Sequence, residues 1–200
     1  EGYAAMDGGE DYNNRLGERE AAFLAARDSF YMASVSESGW PYVQHRGGPA
    51  GFMKVLDDRT IGFADYSGNR QYVSTGNLLH DDRVALFFMD YPNRRRLKML
   101  GRVRVIGFDD EHTLAQLEDP AYRARIERGF IIEVEAFDWN CPQHITQRFS
   151  AAEVEALVEN LRAENRDLKI RLTKDNRFSH SEEAPRPTST AAPVALGDGP

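Results

Sequence analysis

The stretch Phe63-Ala-Asp-Tyr-Ser-Gly-Asn-Arg-Gln-Tyr-Val-Ser-Thr-Gly-Asn77 carries the strongest signal for the fold. An apolar run from Thr60 to Ala64 is typical of a strand, and the small polar residues at 65–69 predict a turn that ends it. Arg70 follows directly. Turn amides, hydroxyls and a guanidinium this close together suit a phosphate group. An ordinary strand-ending turn with a solvated arginine gives the same pattern, so both interpretations stay open here.

Composition narrows the class of protein. The 200 residues are 41% hydrophobic and 28% charged, which predicts one globular domain with extensions. No apolar run approaches the length of a transmembrane helix, so we expect no membrane partner. The formal net charge of -7 argues against a nucleic-acid partner. The single cysteine, Cys141, offers neither an internal disulfide nor a Cys-x-x-Cys spacing, so we expect no metal site and a cytoplasmic location.

Short apolar and aromatic runs separated by polar turns predict consecutive antiparallel strands. Phe30 to Ser36 and Trp40 to His45 form a first hairpin, and Val84 to Met89 is a continuous apolar run typical of a buried strand. Arg94 to Phe108 returns as a long strand. Six or so strands with few helices predict a mainly β (α+β) fold, a closed or nearly closed antiparallel barrel with flanking helices.

The expected helices lie at 16–29, 71–79, 110–117, 120–127 and from residue 150. Ser150 and Glu153 form a capping box at the start of the last helix. Apolar residues from Val154 to Leu172 recur at near-heptad spacing, broken by Asn165, so this helix packs either on its own domain or on a twin subunit. We therefore expect a flexible arm at 1–15, a barrel domain at 16–149, a C-terminal helix at 150–172 and a disordered tail at 173–200.

Four segments could converge on one ligand: 44–49, 65–71, 94–98 and 139–144. In this order they resemble the pyridoxamine 5'-phosphate oxidase-like family of FMN-binding split barrels, over about Ser29 to Phe149. The resemblance implies a six-stranded antiparallel split β-barrel with a C-terminal helix added. It also implies a homodimer in which each FMN lies in the groove at the subunit interface.

The resemblance implies which residues bind FMN. The segment 69–71 matches the run that holds the phosphate, and Ser67 and Gly68 supply a hydroxyl and an amide beside it. Residues 44–47 lie on a strand that faces the flavin ring, and two basic residues of a later strand contact the flavin from the second subunit. The expected cofactor-binding residues are Gln44, Arg46, Gly47, Ser67, Asn69, Arg70, Gln71, Arg96 and Lys98.

Two segments depart from the family oxidase. Where that oxidase has an arginine and a lysine five residues apart, this chain has Arg46, then Gly47-Gly48-Pro49, then Lys54. We therefore expect the glycine-lined backbone of this segment to give a flatter surface where it approaches the flavin ring. Near the C-terminus, Asn140 to His144 replace an arginine-and-histidine segment, so pyridoxamine phosphate is not assigned as the substrate.

The resemblance predicts an FMN-dependent oxidoreductase that transfers hydride or electrons between a donor such as NAD(P)H and a small molecule or oxygen. No catalytic side chain is assigned, because the flavin itself carries the electrons. Two alternatives remain. One is a flavin-binding, flavin-sequestering or redox-sensing protein without turnover. The other is a split barrel that binds haem or a deazaflavin, with His45 or His144 as candidate haem ligands.

Overall fold

The computed structural model describes residues 12–68, 72–140 and 142–181. The chain divides into two units, Glu1–Arg148 and Phe149–Pro200. In the described part of the first unit the strands are β1 (Ser29–Val35), β2 (Pro41–Gly47), β3 (Lys54–Val55), β4 (Thr60–Tyr66), β5 (Arg83–Asp90), β6 (Arg95–Ile106) and β7 (Ile126–Trp139). The helices are α1 (Glu18–Ala25), α2 (Val73–Asn77) and α3 (Glu111–Leu117), with α4 (Ala151–Ser181) in the second unit.

The described strands form one antiparallel sheet in the order β2-β1-β5-β6-β7-β4-β3. Strands β2 and β4 stand first and sixth in this order, yet Arg46 on β2 bonds to Asp65 on β4 at 2.5 Å. The sheet must therefore curl until these two strands meet, with no ladder of hydrogen bonds between them. This arrangement confirms the mainly β split-barrel fold. The sheet has seven strands where six were expected, and the shortest of them, Lys54–Val55, pairs with β4.

Aromatic rings fill the inside of the curled sheet. Phe30 lies 5.0 Å from Phe88 and 5.2 Å from Phe63, and Phe63 stacks on Phe130 at 5.0 Å, measured between ring centroids. All four are at most 1% exposed. Since large aromatic side chains contribute most of the apolar area that a small core buries, this cluster holds β1, β4, β5 and β7 together.

A bulge between Leu100 and Gly101 bends β6 where it pairs with β7. A Cβ atom at Gly101 would lie 2.5 Å from the Glu133 carbonyl oxygen, which is a backbone clash that cannot relax. The glycine therefore permits the close approach of the two longest strands.

Several expected boundaries were wrong. Residues 120–125 are not helical, and β7 begins at Ile126 because residues 126–128 pair with the end of β4. The turn expected from Asp65 begins later, since β4 runs to Tyr66. The last helix continues beyond Leu172 to Ser181, because no glycine or proline interrupts the chain before Pro185. Residues 1–11 and 182–200, which include most of the expected arm and tail, lie outside the described residues.

Two further properties concern only the described residues. None of their helices has the length and apolar character needed to cross a membrane. No group of three or more histidine, cysteine, aspartate or glutamate side chains among them is arranged to hold a metal ion.

Candidate functional site

A polar pocket of about 270 Å³ opens where β2 meets β4. Strand β2 alternates, so that Gln44 and Arg46 turn inward and are partly buried while His45 and Gly47 are exposed. This alternation follows from the two-residue period of a strand. The pocket is lined by Gln44, His45, Arg46, Gly47, Phe52, Phe63, Ala64, Asp65, Tyr66, Gly68, Tyr72, Thr75 and Glu127.

Two arginines share one buried carboxylate at this pocket. Arg46 Nη1 donates to Asp65 Oδ1 at 2.5 Å, and Arg128 Nε lies 3.4 Å from Asp65 Oδ2. The side chains of Arg46 and Asp65 are only 12% and 11% exposed. Burial lowers the pKa of the Arg46 guanidinium and raises the pKa of the Asp65 carboxyl, and the attraction between the two charges opposes both shifts.

The second arginine is held from several sides. Arg128 Nη2 pairs with Glu127 Oε2 at 3.0 Å, and its guanidinium carbon lies 4.8 Å from the centre of the Tyr72 ring. The Tyr72 hydroxyl donates to Glu127 Oε1 at 3.3 Å. Arg46 and Arg128 with Asp65 and Glu127 therefore make a cluster of two positive and two negative charges.

The two guanidinium groups keep unused hydrogen-bonding capacity. Arg46 Nε is buried and has no hydrogen-bond acceptor within the described residues, and the equally buried Arg128 Nε has only the Asp65 Oδ2 contact at 3.4 Å, which is too poorly aligned for a hydrogen bond. A buried donor without an acceptor costs about 1 to 3 kcal/mol, so such donors are rare in folded proteins. Arg46 lines the pocket, and an oxygen-rich ligand there would supply the missing acceptor. The donor set therefore fits an anionic group.

Side-chain bonds fix α2 against the barrel. Ser74 Oγ donates to Gln44 Oε1 at 2.8 Å, and Asn77 Nδ2 donates to Ser34 Oγ at 3.0 Å. Ser34, Ser74 and Asn77 are buried polar residues, so these bonds satisfy groups that water does not reach. Because α2 is only 5 residues long, these anchors rather than helix propensity hold it beside the pocket.

The structure brings part of the predicted site together. Gln44, Arg46 and Gly47 line the pocket with Gly68. The Ser67 amide donates to the Arg125 carbonyl at 2.8 Å, which leaves its hydroxyl, the group expected at the phosphate, as the part of Ser67 that a ligand could use. Asn69, Arg70 and Gln71, which the sequence made central, lie outside the described residues.

The two basic residues expected on β6 lie on another surface. Lys98 lines an apolar groove of about 470 Å³, and its Nζ pairs with Asp138 Oδ2 at 2.8 Å. The Arg96 guanidinium carbon lies 5.3 Å from the centre of the Phe87 ring. Neither residue lines the pocket that contains Arg46. The groove is lined by Tyr31, Ala33, Val43, Ala85, Leu86, Phe87, Lys98, Met99, Leu100, Ala136, Phe137 and Asp138.

The two histidines considered as ligands lie at the surface. The His45 ring packs edge-on against Tyr31, with 5.6 Å between ring centres. His144 is exposed and adopts a left-handed backbone with a φ of 63°.

Sequence reasoning missed Arg128, Glu127 and Thr75, and it placed Asp65 in a turn. One signal was present: Asp65 interrupts an apolar run, which is unusual for a strand that faces a core. The partner could not be identified in the same way. Arg128 becomes the neighbour of Asp65 only through the register of β4 on β7.

Comparison with solved structures finds similar chains at low identity. HupZ from Group A Streptococcus is 16% identical with a TM-score of 0.46, and the match covers 67% of this chain and 100% of that one. A Clostridium acetobutylicum protein related to general stress protein 26 is 13% identical with a TM-score of 0.46, covering 68% and 94%. An FMN-binding protein from Syntrophomonas wolfei is 11% identical with a TM-score of 0.42, covering 60% and 83%.

No curated protein matches the chain. The family model described as pyridoxamine 5'-phosphate oxidase matches residues 16–137, which is more than half of the chain and spans β1 to β6 and most of β7. The expected resemblance is thereby confirmed, and the chain belongs to the pyridoxamine 5'-phosphate oxidase family.

Proposed function

We propose that this protein is an FMN-binding oxidoreductase whose pocket between β2 and β4 receives the phosphate of the cofactor. The observation that carries the proposal is the Arg46 guanidinium, which lines the pocket and has a buried Nε–H that lacks an acceptor among the described residues, with Arg128 beside it on the same carboxylate. Arginine's planar fork matches phosphate oxygens, and a charge-assisted bond in a buried pocket is stronger than one at the surface. Membership of the family supports the same assignment.

The charges in the pocket indicate what else the phosphate needs. Arg46 and Arg128 are balanced by Asp65 and Glu127, so the described cluster is close to neutral. A phosphate monoester carries about -1.5 to -2 charges at neutral pH, and its binding requires further positive charge or hydrogen-bond donors. Arg70, with Asn69 and Gln71, would supply them from the loop after β4. Gln44, held by Ser74, would orient the adjoining part of the cofactor.

The apolar groove on the other face supports a second part of the proposal. Val43 is 61% exposed, Leu100 45% and Tyr31 42%, which is unusual for neighbouring large side chains on one sheet. We propose that a second copy of the chain covers this groove and that the flavin ring lies at the interface, near Lys98 and Arg96. The two subunits would then exclude water from the ring.

When bound, FMN supplies hydride and electron transfer between a donor such as NAD(P)H and a small acceptor. The side chains bind and orient it. Arg46 and Arg128 would hold the phosphate, and the apolar face would keep the ring dry. No described side chain is assigned as a general acid or base.

Titration with FMN and with riboflavin tests the cofactor assignment. The two ligands share the ring and differ in the phosphate, so we expect FMN to bind about 100-fold more tightly, as two charge-assisted hydrogen bonds of about 1.5 kcal/mol each would give. Equal affinities for FMN and riboflavin would show that the phosphate does not bind in this pocket. A colourless protein that fails to bind micromolar FMN would refute FMN binding altogether, and a haem spectrum would favour the haem alternative.

Anaerobic mixing with NADPH and NADH tests turnover. Reduction of bound FMN faster than that of free FMN supports an oxidoreductase. A bound flavin that is reduced no faster than free flavin supports the sequestering or sensing alternative.

A substitution in the groove tests the subunit interface. Leu100→Glu places a charge on the proposed contact, so we expect at least tenfold weaker self-association and weaker FMN binding, as for about 1.4 kcal/mol or more lost at an apolar contact. Leu79→Glu is the matched control, because Leu79 is 82% exposed and lies outside the groove. Sedimentation that shows no difference between the two variants would contradict the interface.

A further inference from the structure

The second unit has its own unexplained surface. Helix α4 has 31 residues and is about 46 Å long at about 1.5 Å per residue. A capping box starts it, since the Ser150 amide donates to Glu153 Oε2 at 2.7 Å and the Glu153 amide donates to Ser150 Oγ at 3.2 Å. Large apolar side chains along it are 48% to 65% exposed. A helix of this length in water needs a partner for such a stripe.

Most of the large apolar residues follow a heptad pattern in which positions a and d form one face, while Leu157 and Ile170 lie outside that face at g and f. Valine occupies an a position and leucine two of the d positions, which is the combination that favours two-stranded coiled coils. The pattern spans about three heptads of described side chains. The a positions are Ala151, Val158, Asn165 and Leu172, and the d positions are Val154, Leu161 and Leu168.

Asn165 specifies how two such helices align. In a parallel pair, a positions face a positions, so two Asn165 side chains meet and hydrogen-bond to each other. In an antiparallel pair, a positions face d positions, and the Asn165 amide would be buried against an apolar side chain. Because an unpaired buried amide is costly, the asparagine favours the parallel, in-register pair over other alignments.

The flanking charges agree with that alignment. Glu164 is at g and Lys169 at the following e, and these two positions face each other across a parallel coiled coil. The spacing of five residues places them too far apart around one helix to pair within it. The ion pairs that α4 does contain lie elsewhere: Glu159 pairs with Arg166 at 3.0 Å and with Arg162 at 3.7 Å.

We infer that α4 pairs with α4 of a second copy of this chain in a parallel two-stranded coiled coil, with the two Asn165 side chains facing each other and Glu164 opposite Lys169. The contact is distinct from the apolar groove of the barrel and does not depend on FMN. Three heptads are marginal alone, so attachment to a barrel that also self-associates would strengthen the pair by raising its effective concentration.

Disulfide formation in the full-length protein tests the alignment. In a Cys141→Ser background, Leu161→Cys places a thiol at d, where two thiols meet in a parallel pair. Ala163→Cys places one at the outward f position as the matched control. We expect Leu161→Cys to form a covalent dimer under mild oxidation at least about tenfold faster than Ala163→Cys. Equal rates, or no dimer from either variant, would overturn the proposal.

A charge reversal gives an independent readout in the Leu161→Cys protein. Glu164→Lys makes both symmetric cross-helix pairs repulsive, so we expect cross-linking to slow about tenfold at low ionic strength. Adding Lys169→Glu restores the attraction and the rate. Helix content measured by circular dichroism checks that each variant is folded. If the second substitution fails to restore the rate, Glu164 and Lys169 do not face each other and the parallel register is wrong.

Discussion

Replacing Arg46 with glutamine removes the guanidinium group that lines the proposed phosphate pocket. Its side chain is 12% exposed, its Nη1 is occupied by Asp65, and its buried Nε has no acceptor among the described residues. One charge-assisted hydrogen bond contributes about 1.5 to 3 kcal/mol, which corresponds to about a 10- to 150-fold weaker affinity for FMN. Riboflavin lacks the phosphate, so its affinity should change by less than about threefold.

Fluorescence titration of both ligands measures the effect. Arg59→Gln is the matched control, since Arg59 is 40% exposed and its 3.8 Å pair with Glu133 lies outside the pocket. Thermal unfolding checks that the variant folds, and Arg46→Lys, which keeps the charge without the fork, should give an intermediate affinity for FMN. The reasoning is refuted if Arg46→Gln leaves FMN binding unchanged, or if it weakens FMN and riboflavin equally.

Three further substitutions probe the loop, the bulge and the buried carboxyl. Arg70→Ala should weaken FMN binding by about 1.5 to 3 kcal/mol, measured by isothermal titration, because the described charges of the cluster cancel and Arg70 would supply the positive charge that the phosphate needs. An unchanged affinity would mean that the phosphate binds at another place. Gly101→Ala should lower the free energy of unfolding by about 1 to 3 kcal/mol and the Tm by about 2 to 4 °C for each kcal/mol. Gly76→Ala is the control and should not lower the Tm, because no atom lies within 4 Å of the added Cβ. Equal Tm values for the two variants would disprove the clash at Gly101. Burial raises the pKa of Asp65 in the folded state. At pH values between the pKa of the unfolded state and that of the folded state, folding is therefore accompanied by the uptake of a proton. The wild type should therefore gain stability relative to Asp65→Asn as the pH falls from neutral toward about 4, and a constant difference in Tm across that range would count against the shift.

Local patterns predicted most of the barrel strands because each depends on neighbouring residues. The continuous apolar run at 84–89 and the hairpin around Gly39 were recognisable from residue type alone. The helix predicted at 120–127 was wrong because its structure depends on residues that are distant in the sequence. Its last two residues belong to β7, which pairs with β4 through ladder hydrogen bonds that no local signal contains, and residues 120–125 form a turn and irregular chain before that strand.

The candidate site could be predicted only in part. Glycine and polar residues after an apolar run pointed to the loop beyond β4, and the family resemblance selected Gln44 and Arg46, which the structure places on one face of β2. The charge balance of the pocket could not be foreseen, since it depends on Arg128 and Glu127, which sequence analysis did not select.

By itself, the sequence determined the alternation of strands and turns, the family, and the capped helix with its heptads, because each of these depends on the types and spacing of residues close together in the chain. Only the tertiary structure decided that Arg46 would bond to Asp65, and that Arg128 would share the same carboxylate. The physical reason is that strands at the first and sixth positions of a sheet meet only when the sheet curls, and burial of the aromatic cluster drives that curling.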